Sequence, residues 1–277
     1  MIKMKWTISR ILTFTALSIF SVMCLYPILW MALNSFKTND ELFTNPWGLP
    51  ASLNFDNYIR AIVTGNIGLS FINSCIITFS AVAIAVLLGC MVSYGLERLI
   101  WKNANNIKRL FLLGMSIPAY AAIVPMFSMF NRLHILDSYL AVIVAHVVFA
   151  LPMSIFILTG FFSTIPGELE EAAIMDGCSI YSCFFKIIMP IAKSSAVTVA
   201  VIDFINIWND LLFPQVFLSS DTKMPLPVSL TTFADLDSVD YAGMLAAVVF
   251  TVVPTIIVYI ILHDKIMEGM TAGAVKG

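Results

Sequence analysis

The stretch "GELEEAAIMDGCSIYSCFFKIIMP", Gly167 to Pro190, is a polar island in an apolar chain. Glu168, Glu170 and Glu171 fall within four residues, followed by Ala172-Ala173, then Asp176-Gly177, then Lys186 ahead of Pro190. The spacing predicts two short helices joined by a turn. Pro166 suits the first helical position, where a missing N–H costs nothing. The carboxylates then lie in the first turns, where the helix dipole favours negative charge. Leu169, Ala172 and Ala173 stand at i, i+3 and i+4, a face small enough for another backbone to approach. Gly177 supplies the left-handed cap that stops the first helix. Ile180 to Ile188 forms the second, carrying Tyr181, Phe184 and Phe185, and Pro190 marks entry to the next apolar run. The competing reading is an amphipathic helix lying on lipid headgroups. Glu168, Glu170 and Glu171 against Lys186 and the following Lys193 disfavour it, because anionic lipid repels the carboxylates.

Outward from this island the chain is oily. Of its 277 residues, 60% are hydrophobic and 12% charged, with a mean hydropathy of +0.93. Soluble domains carry about 25% charged residues, so an all-α integral membrane protein is expected. The length suits a single membrane domain over 1–277 with short loops. A net charge of -2 gives no reason to expect nucleic-acid binding. A bilayer crossing needs about 20 mostly apolar residues, and six segments qualify: 11–33, 70–94, 110–130, 139–161, 194–218 and 241–262. They leave a polar loop at 162–193 and a tail at 263–277. Lys3, Lys5 and Arg10 precede the first apolar run, which is too long for a signal peptide and lacks a small-residue cleavage site.

Lysine and arginine set the orientation. With the N-terminus inside, the inner segments hold Lys3, Lys5, Arg10, Arg98, Lys102, Lys108, Arg109, Lys186, Lys193, Lys265 and Lys276, against Lys37, Arg60, Arg132 and Lys223 outside. Both termini and the island are therefore expected in the cytoplasm. The outer side receives two longer loops, 36–69 and 219–240, with turn formers such as "NPWGLP" and "MPLP". The five cysteines show neither a disulfide framework nor a zinc-ligand pair; Cys24, Cys75 and Cys90 fall in spans and Cys178 and Cys183 in the island. Pro27, Pro118, Pro125, Pro152 and Pro254 lie in or near span interiors, where neighbouring helices can satisfy the freed backbone groups.

Charge within a span is costly, yet the fifth carries Asp203 and Asp210. At 100° per residue, Ser195, Thr198, Asp203, Asn206, Asn209 and Asp210 fall within about 140° of one another. Asp203, Asn206, Asn209 and Asp210 are candidate pathway residues, with hydroxyl-matching donors and acceptors. Polar glue between helices is the equal alternative. His146, the histidine inside a span, lies at a depth close to that of Asp210, so a pair between them is one option and any other polar neighbour is another.

The island resembles the EAA motif of binding-protein-dependent ABC importer permeases: EAA, three residues, G, nine residues, I, any residue, LP. Here these are Glu171-Ala172-Ala173, Gly177, Ile187 and Met189-Pro190, with Met189 in place of the usual leucine. "NPWGLPASLNFDNY" at Asn45–Tyr58, "FINIWNDLLFPQVFLSS" at Phe204–Ser220 and "EGMTAGAVKG" at Glu268–Gly277 are similar to the outer loop, fifth span and tail of the carbohydrate-importing, maltose-type second (G-type) permease. The resemblance implies a type I ABC importer permease fold with six transmembrane helices. It implies an ATPase-coupling site at Glu168, Glu171, Ala172, Ala173, Asp176, Gly177 and Pro190, and an ATPase-contacting tail at Gly273, Lys276 and Gly277. The partners it implies are a second homologous permease subunit, a dimer of ATP-binding subunits, an extracytoplasmic solute-binding protein and a sugar substrate, in the cell membrane.

No GxxxxGK[ST] stretch occurs, so ATP and Mg are expected on the partner ATPase, with no cofactor or metal on this chain and no enzyme activity of its own. The alternative function is an ion-coupled secondary transporter using Asp203, Asp210 and His146. It leaves the island unexplained and finds no evident inverted repeat. A membrane enzyme finds no HExxH stretch, nucleophile triad or metal cluster. Oligosaccharide, monosaccharide and glycerol phosphate all remain open as the solute.

Overall fold

The computed structural model describes residues 8–63, 65–233 and 240–274. Every regular element among them is helical. In chain order these are α1 Ile8–Asn34, α2 Asn39–Thr44, α3 Asp56–Val63, α4 Ile67–Glu97, α5 Ala104–Gly114, α6 Ile123–Arg132, α7 Tyr139–Phe162 and α8 Glu168–Met175. Then follow α9 Ile180–Cys183, a π turn Phe184–Ile188, α10 Met189–Ile191, α11 Lys193–Trp208, α12 Leu212–Phe217, α13 Leu226–Ser229 and α14 Tyr241–Ala274.

Among the described residues, four helices are long and apolar enough to cross a bilayer unbroken: Arg10–Asn34, Ile67–Glu97, Tyr139–Phe162 and Tyr241–Asp264. They match the first, second, fourth and sixth predicted spans. The third and fifth are not straight helices. Around the third, Ala104–Gly114 meets Ala119–Arg132 at 91°. After α5 the winding tightens, with Met115, Ser116 and Ile117 donating to Leu112, Leu113 and Gly114 at 3.0–3.2 Å. Pro118 then caps a short 3-10 turn, Ala119–Ala122, because proline biases its predecessor away from the α region.

The fifth stops at Trp208. Asn209 donates back to the Ile205 carbonyl at 2.8 Å, and Asp210 accepts from the Phe213 N–H in the first turn of α12 at 3.1 Å. Before it, Ile180–Ile191 meets Lys193–Trp208 at 76°. Pro190 sits inside this earlier stretch and not at the entry to the fifth span. The π turn precedes it, with Met189 N–H donating to Phe184 O, a rewiring that accommodates a proline the α ladder would resist.

The chain forms two compact units. The first comprises residues up to Ile67 together with Leu230–Phe250. Its centre is Lys37, fully buried, whose ammonium donates to the carbonyls of Asn45 and Gly48 at 2.7 Å each. The "NPWGLP" loop is wrapped around that amine. Trp30 Nε1 donates to Pro46 O at 2.8 Å, and Asn57 donates to the carbonyls of Ser35 and Lys37. Asp240 receives Arg60 at 3.0 Å and Asn39 at 3.1 Å.

The second unit comprises Gly68–Ser229 with the chain from Thr251. Here α7 packs on α5, α11 and α12. Phe213 stacks on Phe149 and Phe217, and Trp208 donates to Thr251 O at 3.0 Å. On the chain between α6 and α7, Asp137 accepts from the backbone N–H groups of Ser219 and Ser220 at 3.0 Å and from Lys223 at 2.9 Å.

Candidate functional site

The polar island folds as the helix, turn and helix its sequence predicts, with two corrections. Pro166 stands outside α8, whose N-cap is Gly167. The expected shared face of Leu169, Ala172 and Ala173 does not form. Ala173 is 6% exposed and packs into a core with Tyr94, Leu158, Phe162, Phe184 and Ile188, while Ala172 is exposed. The small residue at 173 lets α8 sit close to its own scaffold. Adjacent helical residues point about 100° apart, so Ala173 meets the core while Ala172 turns away from it.

The turn after α8 closes as a Schellman motif. Gly177 has φ +82°; its N–H donates to Ile174 O and the Cys178 N–H to Ala173 O, both at 2.9 Å. These bonds satisfy carbonyls that a helix end leaves open. Glu168, Glu171 and Asp176 are exposed, as is Met175 at 86%. Pro190 is exposed, within α10.

Glu170, by sequence only one of three neighbouring loop charges, anchors the whole element. Arg98, the residue after α4, donates from Nε to Glu170 Oε2 at 2.7 Å and from Nη1 to the Ile165 carbonyl at 2.8 Å. The two side chains are 11% and 13% exposed. One guanidinium thus joins the end of α4, the chain leaving α7 and the first turn of α8. Its planar fork is suited to such multiple bonding. The separation of 72 positions hides this pair from any local pattern.

The tail is the third predicted site. Gly273 falls within the backbone of α14; Lys276 and Gly277 lie outside the described residues.

The second unit also builds a cavity of about 420 Å³. Asp203, Asn206 and Asp210 line it together with Tyr120, His146 and Phe213. Asn209 does not, because α11 has ended and its amide turns back to the helix. Asp203 Oδ2 accepts from the Ser154 hydroxyl at 3.0 Å. Asp210 Oδ1 accepts from the Tyr120 hydroxyl at 3.1 Å, and His146 Nε2 lies 3.7 Å from Asp210 Oδ2. The depth match between His146 and Asp210 in sequence thus corresponds to proximity in space. Nothing in the sequence marks Tyr120, which sits in a kinked segment where no periodicity orients it.

Fold and site together define a multi-pass helical membrane protein with an exposed acidic helix–turn–helix and a polar cavity among its spans. The family model described as "Binding-protein-dependent transport system inner membrane component" matches residues 101–267. The chain is 33% identical to the diacetylchitobiose uptake system permease protein NgcG of Streptomyces coelicolor, over 94% of this chain and 87% of that one. It is 31% identical to the probable starch degradation products transport system permease protein AmyC of Thermoanaerobacterium thermosulfurigenes, over 96% and 94%. Its fold matches a chain in the crystal structure of a bacterial ABC transporter involved in the import of the acidic polysaccharide alginate, with TM-score 0.82 and 23% identity over 94% and 98% of the two chains. The chain belongs to the family of binding-protein-dependent transport system inner membrane components.

Proposed function

We propose that this chain is the membrane-spanning permease subunit of an ATP-driven, binding-protein-dependent sugar importer. In this reading it forms half of the translocation pathway, as one six-span membrane domain with both termini in the cytoplasm. A second, homologous permease supplies the other half. ATP is hydrolysed on a separate pair of subunits, and an extracytoplasmic binding protein delivers the sugar. The observation that carries the reading is α8: an acidic helix whose outer face is free while its inner face is fixed by Arg98, Ala173 and the Gly177 cap. Such a helix passes a push from a docked subunit to the ends of α4 and α7 without bending.

Glu168, Glu171 and Asp176 present charge to the docking cleft, Ala172 allows close approach, and Ala173 seats the helix on its own spans. Pro190 and the π turn end the stretch that joins this surface to α11. Asp203, Asn206 and Asp210 face the solute path, and the tail from Gly273 through Lys276 and Gly277 reaches the ATPase subunits. ATP binding then biases a two-state equilibrium of the spans. The ion-coupled alternative gains no support: family membership accounts for the island, which that alternative leaves without a purpose.

The test is gentle extraction of the tagged chain from its native membrane and identification of what comes with it by mass spectrometry. An ATP-binding subunit and a second, non-identical permease are expected. Recovery of the chain alone, still moving solute down an ion gradient, would overturn the proposal.

A further inference from the structure

The cavity carries a charge pattern that bears on which solutes it admits. Asp203 and Asp210 are 3% and 8% exposed, and among the described residues no lysine or arginine lines the space. The titratable groups facing it are these two carboxyls, the Tyr120 phenol and the His146 imidazole. Even a protonated His146 would offset one carboxylate of two. Both oxygens of Asp210 are already held by neutral donors of the chain, the Tyr120 hydroxyl and the Phe213 N–H at 3.1 Å each. These bonds fix the carboxylate in place without cancelling its charge.

We infer that this cavity is a solute-contact site that takes neutral or cationic hydroxyl-rich solutes and excludes anionic ones such as uronates and sugar phosphates. The inference rests on the permease reading above and narrows its substrate class. A cleft lined by one sign of charge and walled by low-dielectric side chains focuses its field, concentrating the opposite charge and depleting its own. An anionic group is held most strongly by charged donors, and no lysine or arginine is among the lining residues to offset the two carboxylates. A neutral sugar meets what it requires. The Asn206 amide is exposed and both donates and accepts. The rings of Phe149 and Phe213 give the C–H faces of a pyranose an apolar wall. The volume falls in the range of small-molecule sites, about 300–1,000 Å³.

The test reads the charge of the cavity without knowing the sugar. In the full importer complex, Cys24, Cys75 and Cys178 are replaced by serine; Cys90 and Cys183, at 0% and 1% exposure, remain. Asn206→Cys is then labelled with a cationic trimethylammonium and an anionic sulfonate methanethiosulfonate of similar size. The cation-to-anion rate ratio is expected to exceed that for a free thiol in solution at least tenfold, and to fall several-fold when Asp203→Asn or Asp210→Asn is added. A ratio no greater than that of the free thiol, or no labelling by either reagent, would overturn the inference. Met153→Cys, on another wall of the cavity, replaces the first probe if that variant does not assemble. ATP hydrolysis stimulated by the binding protein is measured on the same preparation. Its presence with a flat labelling ratio defeats this inference alone, and its absence from the unsubstituted complex defeats the permease reading.

Discussion

Replacing Arg98 with alanine should free α8 from the two spans it is tied to. The Arg98–Glu170 pair is closed at 2.7 Å, with a second bond to the Ile165 carbonyl at 2.8 Å, and both side chains are close to nine-tenths buried. Removing one partner of a buried pair strands the other charge, at about 3–5 kcal/mol. Residual exposure of Glu170 places the expected loss near the lower end, about 3 kcal/mol. At about 1.4 kcal/mol per tenfold, that raises the local opening constant of α8 roughly a hundredfold. The assay is amide hydrogen exchange in the assembled complex. Protons on Glu170, Glu171, Gly177 and Cys178 should exchange about a hundredfold faster in Arg98→Ala, while those in the middle of α7 keep their rates. Arg98→Lys retains the charge but not the fork and should fall between. In the double variant Arg98→Ala/Glu170→Ala the loss should be well below the sum of the single losses, because no stranded charge remains. Exchange over 165–178 within twofold of the parent, in a complex that still assembles, would refute the reasoning.

Gly177→Val places a β-branched residue at φ +82°, where an L side chain costs about 1–2 kcal/mol. It should insert normally yet raise the ATP hydrolysed per solute imported, and Gly177→Asn should do so less because asparagine tolerates this region. Lys37→Met leaves the carbonyls of Asn45 and Gly48 without their shared donor, at about 1–3 kcal/mol for each orphaned group; limited proteolysis should then cut within 45–51 sooner than in the parent. Hydrogen bonds from the Ser220 hydroxyl and from Lys223 hold the Asp137 carboxyl well below the usual carboxylate range. A depressed folded-state pKa stabilises above the unfolded value of about 3.9 and is lost as pH falls below it. The tether to 219–223 should therefore protect the Ser219 and Ser220 amides fully at pH 5–7 and release them only in stronger acid, whereas Asp137→Asn should lose that protection at neutral pH.

The parts of this fold that are local were legible in the sequence. Gly177 announced its left-handed cap because few other residues accept that backbone, and four spans announced themselves by length and apolarity alone. The EAA spacing carried the family, since it fixes residues over two helical segments at once. The parts set by distant partners were not legible. Glu170 reads as one more loop charge until Arg98 arrives from the end of α4. Ala173 looks like its neighbour Ala172 until the core of Tyr94, Phe162 and Phe184 takes one of them. The helical wheel through Asp210 assumed that α11 continued, and the chain breaks at Asn209 because two side chains bond to backbone instead of prolonging the helix. Asp210 reaches the cavity all the same, held there by the Tyr120 hydroxyl and the Phe213 N–H, while Asn209 does not.

The central claim is that the outer face of α8 is where the ATP-binding subunit docks while its inner face belongs to the chain's own core. Single cysteines at Ala172, Met175 and Ala173, with Cys178 replaced by serine and each treated with a short thiol-attached photo-cross-linker in the purified complex, address it directly. The exposed positions 172 and 175 should cross-link to the ATP-binding subunit, and the buried position 173 should not. A complex that hydrolyses ATP in response to its binding protein yet gives no cross-link at 172 or 175 would contradict the account.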